Sequence, residues 1–282
     1  MRISVSHRTT YRYETTAKSA IQILHLTPRS HDGHFVKWWN VSVDQDCRLS
    51  EFEDSLGNIA HSFTVEGPLD TLSILVEGEV ETSDTNGIVA GAVERMPPEF
   101  YLRQTDLTWA DSRIRAFAER IHAKQAEDGT LAALHALMRA VHRRLGFDKE
   151  PTTVETPAAE AFAHKQGVCQ DFAHVFISAA RHLSIPARYV GGYLMQEALE
   201  QLDAADVQPQ EAGHAWAEAY IPDLGWVSFD PTHSISATEA YVRVAIGLDY
   251  LGAAPVRGTR YGGGGESMDV AVHVAAAQIQ NQ

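Results

Sequence analysis

The stretch GVCQDFAH, residues 167–174, is the most informative part of this chain, because it places a cysteine where a helix begins. Gly167 interrupts the helical pattern before it, and apolar residues recur at helical spacing from Cys169 to about His182, before Pro186. At the first turn of a helix, unpaired backbone N–H groups and the positive end of the helix dipole stabilise a thiolate and an oxyanion. The pattern therefore predicts a helix that presents a reactive thiol at its first residue.

The charge next to this thiol acts in the opposite direction. Asp171 follows two residues after Cys169, and its carboxylate destabilises a thiolate unless it points away or a cation neutralises it. The sequence alone therefore does not give the sign of the change in the thiol pKa. Without further residues, a buried and inert cysteine is the better interpretation of Cys169.

A second stretch supplies the partners that the thiol needs. Residues 214–221, HAWAEAYI, alternate in polarity, and residues 226–230, WVSFD, alternate again after the turn PDLG, so the two segments predict a β-hairpin. In such a hairpin Asp230 can accept a ring N–H of His214, while the other ring nitrogen faces the thiol of Cys169. The chain therefore contains a candidate Cys169/His214/Asp230 triad.

With these residues the chain resembles the bacterial transglutaminase-like superfamily, including its cysteine protease type and the β-rich region that often precedes the core. Two departures from the usual pattern are Gly252, where relatives often carry an acidic residue, and His233, where asparagine is more usual. The stretches that carry the resemblance are TYRY at 10–13, LTPR at 26–29, DSLGN at 54–58, GVCQDFAH at 167–174, IPARYV at 185–190, HAWAE at 214–218, GWVSFDPT at 225–232 and PVRG at 255–258.

The resemblance implies a papain-like core in which Cys169 attacks a carbonyl, His214 transfers the proton and Asp230 orients the imidazole, without a cofactor. With water as acyl acceptor the enzyme is a peptidase or amidase, and with an amine it is a transglutaminase or acyltransferase. Because many bacterial members resemble peptidases, hydrolysis of a peptide or isopeptide bond is expected. The backbone N–H of Cys169 is the expected oxyanion donor. The aromatic residues expected to contact substrate are Tyr193, Trp216 and Trp226.

The pattern of the whole chain predicts an α+β fold. Up to about residue 95, apolar and polar residues alternate between turn residues such as Pro28 and Gly67-Pro68, which predicts an antiparallel β-sandwich. Helical spacing of apolar residues then begins. Asp111 is the predicted N-cap of the first helix, and Ile114 is the first residue of its apolar stripe. The expected regions are a β-sandwich over 1–95, a transglutaminase-like catalytic core over 96–245, and a glycine-rich tail with a final strand over 246–282.

Composition excludes several classes of function. The formal net charge of −14 over 282 residues opposes binding to phosphate backbones, so nucleic acid is not an expected partner and a peptide or protein substrate is. No apolar run reaches membrane-spanning length, and the N-terminus lacks the apolar stretch of a signal peptide. The only cysteines, Cys47 and Cys169, exclude a disulfide framework. A cytoplasmic protein with reduced thiols is expected.

Two other classes of function stay open from the sequence. Thiolate, imidazole and carboxylate groups also bind zinc, although the usual ligand spacings are missing. A non-catalytic peptide-binding module on the same fold is the other alternative. The acidic stretch 197–210 is expected to be a solvated loop before His214, and residues 278–282 to be frayed. The zinc alternative involves Cys169, His174, His214, Asp230 and His233.

Overall fold

The computed structural model describes residues 1–125, 127–201 and 213–277. Residues 202–210 of the predicted acidic loop and the predicted frayed end at 278–282 lie outside these ranges, and the first residues of that loop belong to a helix instead. The strands are β1 (Arg2–Thr27), β2 (His34–Val43), β3 (Ser50–Glu53), β4 (Ile59–Thr82), β5 (Ile88–Val89), β6 (Gly146–Phe147), β7 (Gln166–Gly167), β8 (Ala187–Leu194), β9 (His214–Ile221), β10 (Gly225–Phe229), β11 (Tyr241–Gly247), β12 (Val256–Gly262) and β13 (Glu266–Ala276). The α-helices are α1 (Ser112–Ala123), α2 (Gly129–Arg144), α3 (Ala158–His164), α4 (Cys169–His182), α5 (Gln196–Gln201) and α6 (Tyr250–Ala253), and a 3₁₀ helix covers Pro98–Leu102.

The N-terminal region is strand-rich, as its alternating pattern predicts, but two of its strands are unusually long. β1 and β4 pair antiparallel along most of their lengths, with register shifts near Ala17. The predicted turn at Gly67-Pro68 is wrong, because these residues lie inside β4 at one of the shifts. The irregular pairing bends the strands without ending them. One continuous six-stranded sheet results, and buried side chains from both halves of β1 form a common hydrophobic cluster.

The tail returns to this sheet rather than to the core. β12 pairs with the second half of β1, from Ala17 to Leu24, and β13 pairs with its first half, from Ile3 to Tyr13. β13 is the predicted final strand, and the run Gly262–Gly265 leads from one strand to the other. As a result, the last strand of the chain lies beside the first.

The remaining region is a five-stranded antiparallel sheet with the strand order β11-β8-β9-β10-β5. α4 packs against β9 and is in turn contacted by α1, α2 and α3, so nearly all of its side chains are buried. α4 has the predicted bounds, and Asp111 caps α1 by accepting the N–H groups of Arg113 and Ile114. β9 and β10 form the predicted hairpin, whose turn includes Gly225 at φ 83°.

The two regions are joined by hydrogen bonds as well as by apolar contact. Asn58, from the DSLGN stretch, donates to the backbone oxygen of Ile246 at 2.9 Å and accepts from its N–H at 2.8 Å. Ile3, Val5 and Val80 of the N-terminal sheet belong to the same hydrophobic cluster as the core helices. This packing holds one face of β1 against the region around α4. No helix within the described ranges is long and apolar enough to cross a membrane.

Candidate active site

The thiol of Cys169 lies at the first residue of α4, as its sequence predicts. Val168 is the N-cap residue, and Asp171 Oδ2 accepts the Val168 N–H at 2.8 Å, which closes the first turn. The same carboxylate oxygen accepts the hydroxyl of Thr152 at 2.8 Å. Asp171 is therefore part of the helix cap and ties the preceding loop to it, next to the thiol.

The surroundings of Cys169 hold its thiol in the protonated form. Burial is the largest cause and raises the pKa of Cys169 to about 12, and the charges of Asp230 and Asp171 raise it further. Hydrogen bonds from the backbone N–H groups of Ala215 and Gln170 act in the opposite direction without reversing the shift. A base must therefore remove the proton before this sulfur becomes nucleophilic.

His214, at the start of β9, is the candidate for that base. Its Nε2 lies 2.7 Å from Asp230 Oδ2, and both side chains are fully buried. Because Nε2 makes this contact, Nδ1 is the ring nitrogen that would exchange a proton with the thiol if His214 acts as the base. His214 lines the same cavity as Cys169, so the structure brings all three predicted triad residues to one place.

Asp230 receives more hydrogen bonds than the sequence analysis expected. His233 Nδ1 and the Tyr241 hydroxyl also reach its Oδ2, at 2.8 Å and 2.7 Å, while the Thr232 N–H donates to Oδ1 at 2.8 Å. Burial alone would raise the pKa of this carboxyl, but the charge of His214 and the hydrogen bonds from His214 and His233 hold the pKa well below its usual range. The carboxylate therefore stays ionised at neutral pH.

Only one of these two extra contacts had a signal in the amino-acid sequence. His233 was recognisable as a departure from the usual asparagine at that position, and it keeps a hydrogen bond to the site. Tyr241 had no local signal, because it comes from β11, on the far side of the sheet from β10. The contact depends on the strand order.

The three aromatic residues predicted to contact substrate lie elsewhere, and none is among the described residues that line the cavity. Tyr193 is buried, and its hydroxyl bonds His7 Nδ1 at 2.9 Å. Trp216 stacks on His214 with its ring centroid 5.9 Å away, behind the site. Trp226 packs over the Arg188 guanidinium, 3.8 Å from its ring centroid. All three are buried and belong to the same hydrophobic core cluster.

The zinc alternative is supported by the positions of three of its five predicted ligands. His214, Asp230 and His233 offer ligand atoms within 4.8 Å of one another, all buried. However, one ring nitrogen of each histidine, Nε2 of His214 and Nδ1 of His233, already contacts Asp230, so an ion bound at these nitrogens would displace both hydrogen bonds. His174 points away, since its Nε2 accepts the Tyr250 N–H at 3.0 Å. The described contacts favour a hydrogen-bonded site over a metal centre.

We expect Asp171→Asn to increase the reactivity of Cys169. The amide keeps an oxygen to accept the N-cap N–H and the Thr152 hydroxyl, but it removes a negative charge that raises the thiol pKa. The sign follows directly: less negative charge near the sulfur lowers its pKa, so more thiolate exists at neutral pH. Alkylation of Cys169 by iodoacetamide at pH 7 should become about threefold faster or more. As a control, Glu150→Gln, which removes the same charge from an exposed position, should leave the rate unchanged.

Comparison with known proteins agrees with this geometry. The Transglutaminase-like superfamily matches residues 115–231, and the Bacterial transglutaminase-like N-terminal region matches residues 3–81. An uncharacterized protein of Mycobacterium leprae is 31% identical over 97% of this chain and 98% of its own. A protein-glutamine gamma-glutamyltransferase of Pseudomonas aeruginosa is 30% identical, over 54% of this chain and 23% of that protein.

A solved structure shares the whole fold. The "Putative Cysteine Protease" from Cytophaga hutchinsonii aligns with a TM-score of 0.75 over 100% of this chain and 92% of that one, at 20% identity. Both regions of the fold are therefore found together in another protein. The matched core contains Cys169, His214 and Asp230, and the matched N-terminal region contains the long strands β1 and β4. This chain belongs to the transglutaminase-like superfamily, with the bacterial transglutaminase-like N-terminal region in front of its core.

Proposed function

We propose that this protein is a thiol-dependent acyl-transfer enzyme that hydrolyses a peptide or isopeptide amide bond through Cys169, His214 and Asp230. The observation that carries the proposal is the 2.7 Å contact between buried His214 and Asp230, beside a cavity that Cys169 also lines. Full burial of the Asp230 carboxylate is difficult to explain by stability alone, because desolvation of the charge is costly. It is explained if the imidazole must become charged during a reaction.

In the proposed acylation step, His214 takes the thiol proton while the sulfur attacks the amide carbonyl carbon. The carbon–sulfur bond forms, the carbonyl π electrons move to oxygen, and Asp230 stabilises the imidazolium. The carbon–nitrogen bond then breaks, and the amine leaves with the proton from His214. A thioester on Cys169 remains. Water attacks it with His214 again as base, and the carboxylic acid departs as the thiol is restored.

The oxyanion of this mechanism needs donors near the sulfur. The backbone N–H of Cys169, at the start of α4, is the proposed donor because helix starts leave N–H groups unpaired. The N–H groups of Gln170 and Ala215 already hydrogen-bond the resting thiol. One of these two N–H groups is the proposed second oxyanion donor, which the sequence did not identify.

Two features of the chain bear on the acyl acceptor and the location. Similarity to the Pseudomonas gamma-glutamyltransferase favours an amine acceptor as the second candidate function, although the chain covers under a quarter of that protein. Both cysteines are free, which suits a reducing compartment, so the cytoplasm is the proposed location. A peptide or protein is the proposed substrate.

The acceptor can be determined by product partition. The protein would be incubated with a peptide library in two samples, one without and one with an excess of a primary amine. The products would be identified by mass spectrometry. We expect hydrolysed products in both samples, with amine adducts below about one tenth of the total, because a cleft open to solvent favours water. Predominance of adducts would instead identify a transglutaminase, and absence of both products would favour the non-catalytic binding module.

A further inference from the structure

The cavity beside Cys169 is formed by both regions of the chain. It has a volume of about 420 Å³. Cys169 and His214 line it from the core, while Tyr11 of β1 and Met268 and Val270 of β13 line it from the N-terminal sheet. The N-terminal sheet and the tail strand therefore form a wall of the cavity in which the reaction is proposed to occur.

The cavity walls are largely apolar and carry little charge. Among the described lining residues there is no aspartate or glutamate, and Lys149 is the only lysine or arginine. His7 also lines the cavity, but burial lowers its pKa to about 4, so its ring is neutral at pH 7. A charged side chain placed here would lose its hydration without gaining an opposite charge from most of the wall.

Two apolar residues on the wall, Val154 and Met268, remain open to solvent, and Met268 belongs to β13. Met268 is 60% exposed although it lines the cavity, and Val270 is half-buried two residues further along the same face of β13. A flexible thioether adapts to apolar groups of different shape, which makes methionine suitable for a binding surface. Covering this side chain with an apolar group of the substrate would remove it from water.

We propose that this wall selects a peptide with a bulky apolar residue, such as leucine or phenylalanine, next to the bond that Cys169 attacks. The inference rests on the proposed function, because it takes Cys169 as the nucleophile. The volume suffices for a large side chain, and pockets of this size bind ligands mainly through apolar contact. Each methylene group moved from water into such a site contributes about fourfold to affinity at 25 °C. The N-terminal sheet thereby acts as the specificity surface of the enzyme.

The test uses binding, so that it does not depend on turnover. Cys169→Ala protein would be titrated into fluorescently labelled pentapeptides that differ only in a central leucine, phenylalanine, alanine or glutamate, with fluorescence anisotropy as the readout. We expect the leucine and phenylalanine peptides to bind at least about tenfold more tightly than the alanine and glutamate peptides. Met268→Glu in the same background should weaken leucine and phenylalanine binding about fivefold or more.

Ala271→Glu provides the matched control, because Ala271 is exposed on the other face of β13. The substitution introduces the same charge as Met268→Glu. It should change affinity less than about twofold, given the weak effect of exposed charges. Equal binding of the four peptides, no binding of any peptide at millimolar concentration, or equal effects of the two substitutions would overturn the inference. Failure of the proposed function is distinguishable, since the leucine peptide would then bind but remain uncleaved by protein that retains Cys169.

Discussion

Replacing Cys169 by serine is expected to reduce kcat/KM for amide hydrolysis by at least about a thousandfold, because the nucleophile is lost. Serine keeps the size and position of the side chain at the start of α4. However, its hydroxyl is a much weaker acid than a thiol, so His214 removes its proton far less readily during the attack. The measurement is the cleavage rate of the best library peptide, with mass spectrometry of the protein to detect any acyl adduct.

Cys47 supplies the control for this substitution. It lies outside the elements that form the cavity and is partly buried against the hydrophobic cluster of the N-terminal sheet. Burial, Asp46 and Asp44 raise its pKa, so it is a poor nucleophile at neutral pH. Cys47→Ser should retain activity within about twofold. Full activity in Cys169→Ser protein would contradict the role of Cys169 as the nucleophile.

Local patterns were sufficient to predict the elements that hold the triad. The end of one helix at Gly167 and the apolar spacing after it located α4, and alternating residues located the β9–β10 hairpin. Within that hairpin, Phe229 pairs with Ala217, which puts Asp230 and His214 on one face. The contact between the two residues could therefore be expected from register alone.

The residues that line the cavity, and those that pack behind His214, could not be predicted in the same way. Alternation predicts that a residue is half-buried, but it does not say which surface covers it. Trp216 shares a face with His214, as expected, yet Tyr241 from a strand two places away packs edge-on against it at 5.3 Å and closes that side. Met268 and Tyr11 reach the cavity only because β13 returns to β1 across more than 250 residues of sequence. These contacts depend on long-range topology.

The carboxylate of Asp230 is the second position where a small change should have a large effect. Its Oδ1 accepts a hydrogen bond from the backbone N–H of Thr232. Its Oδ2 is contacted by the side chains of His214, His233 and Tyr241. In Asp230→Asn protein, the amide oxygen is expected to stay with the backbone N–H, because the opposite orientation would place two donors face to face. The amide N–H then points at His214 Nε2.

This orientation would give His214 the wrong tautomer. With Nε2 accepting a hydrogen bond, the ring proton moves to Nδ1, the nitrogen needed to take the thiol proton from Cys169, and the imidazolium also loses its counter-charge. We expect Asp230→Asn to lower kcat by about a thousandfold to ten-thousandfold, with a smaller change in KM, as measured by steady-state peptide cleavage. Tyr241→Phe, which removes another hydrogen bond from the same oxygen but leaves its charge, should cost less than about tenfold. Only the loss of the carboxylate changes which nitrogen of His214 carries the proton. If both variants remain folded by circular dichroism and lose equal activity, Asp230 therefore contributes packing rather than control of the tautomer.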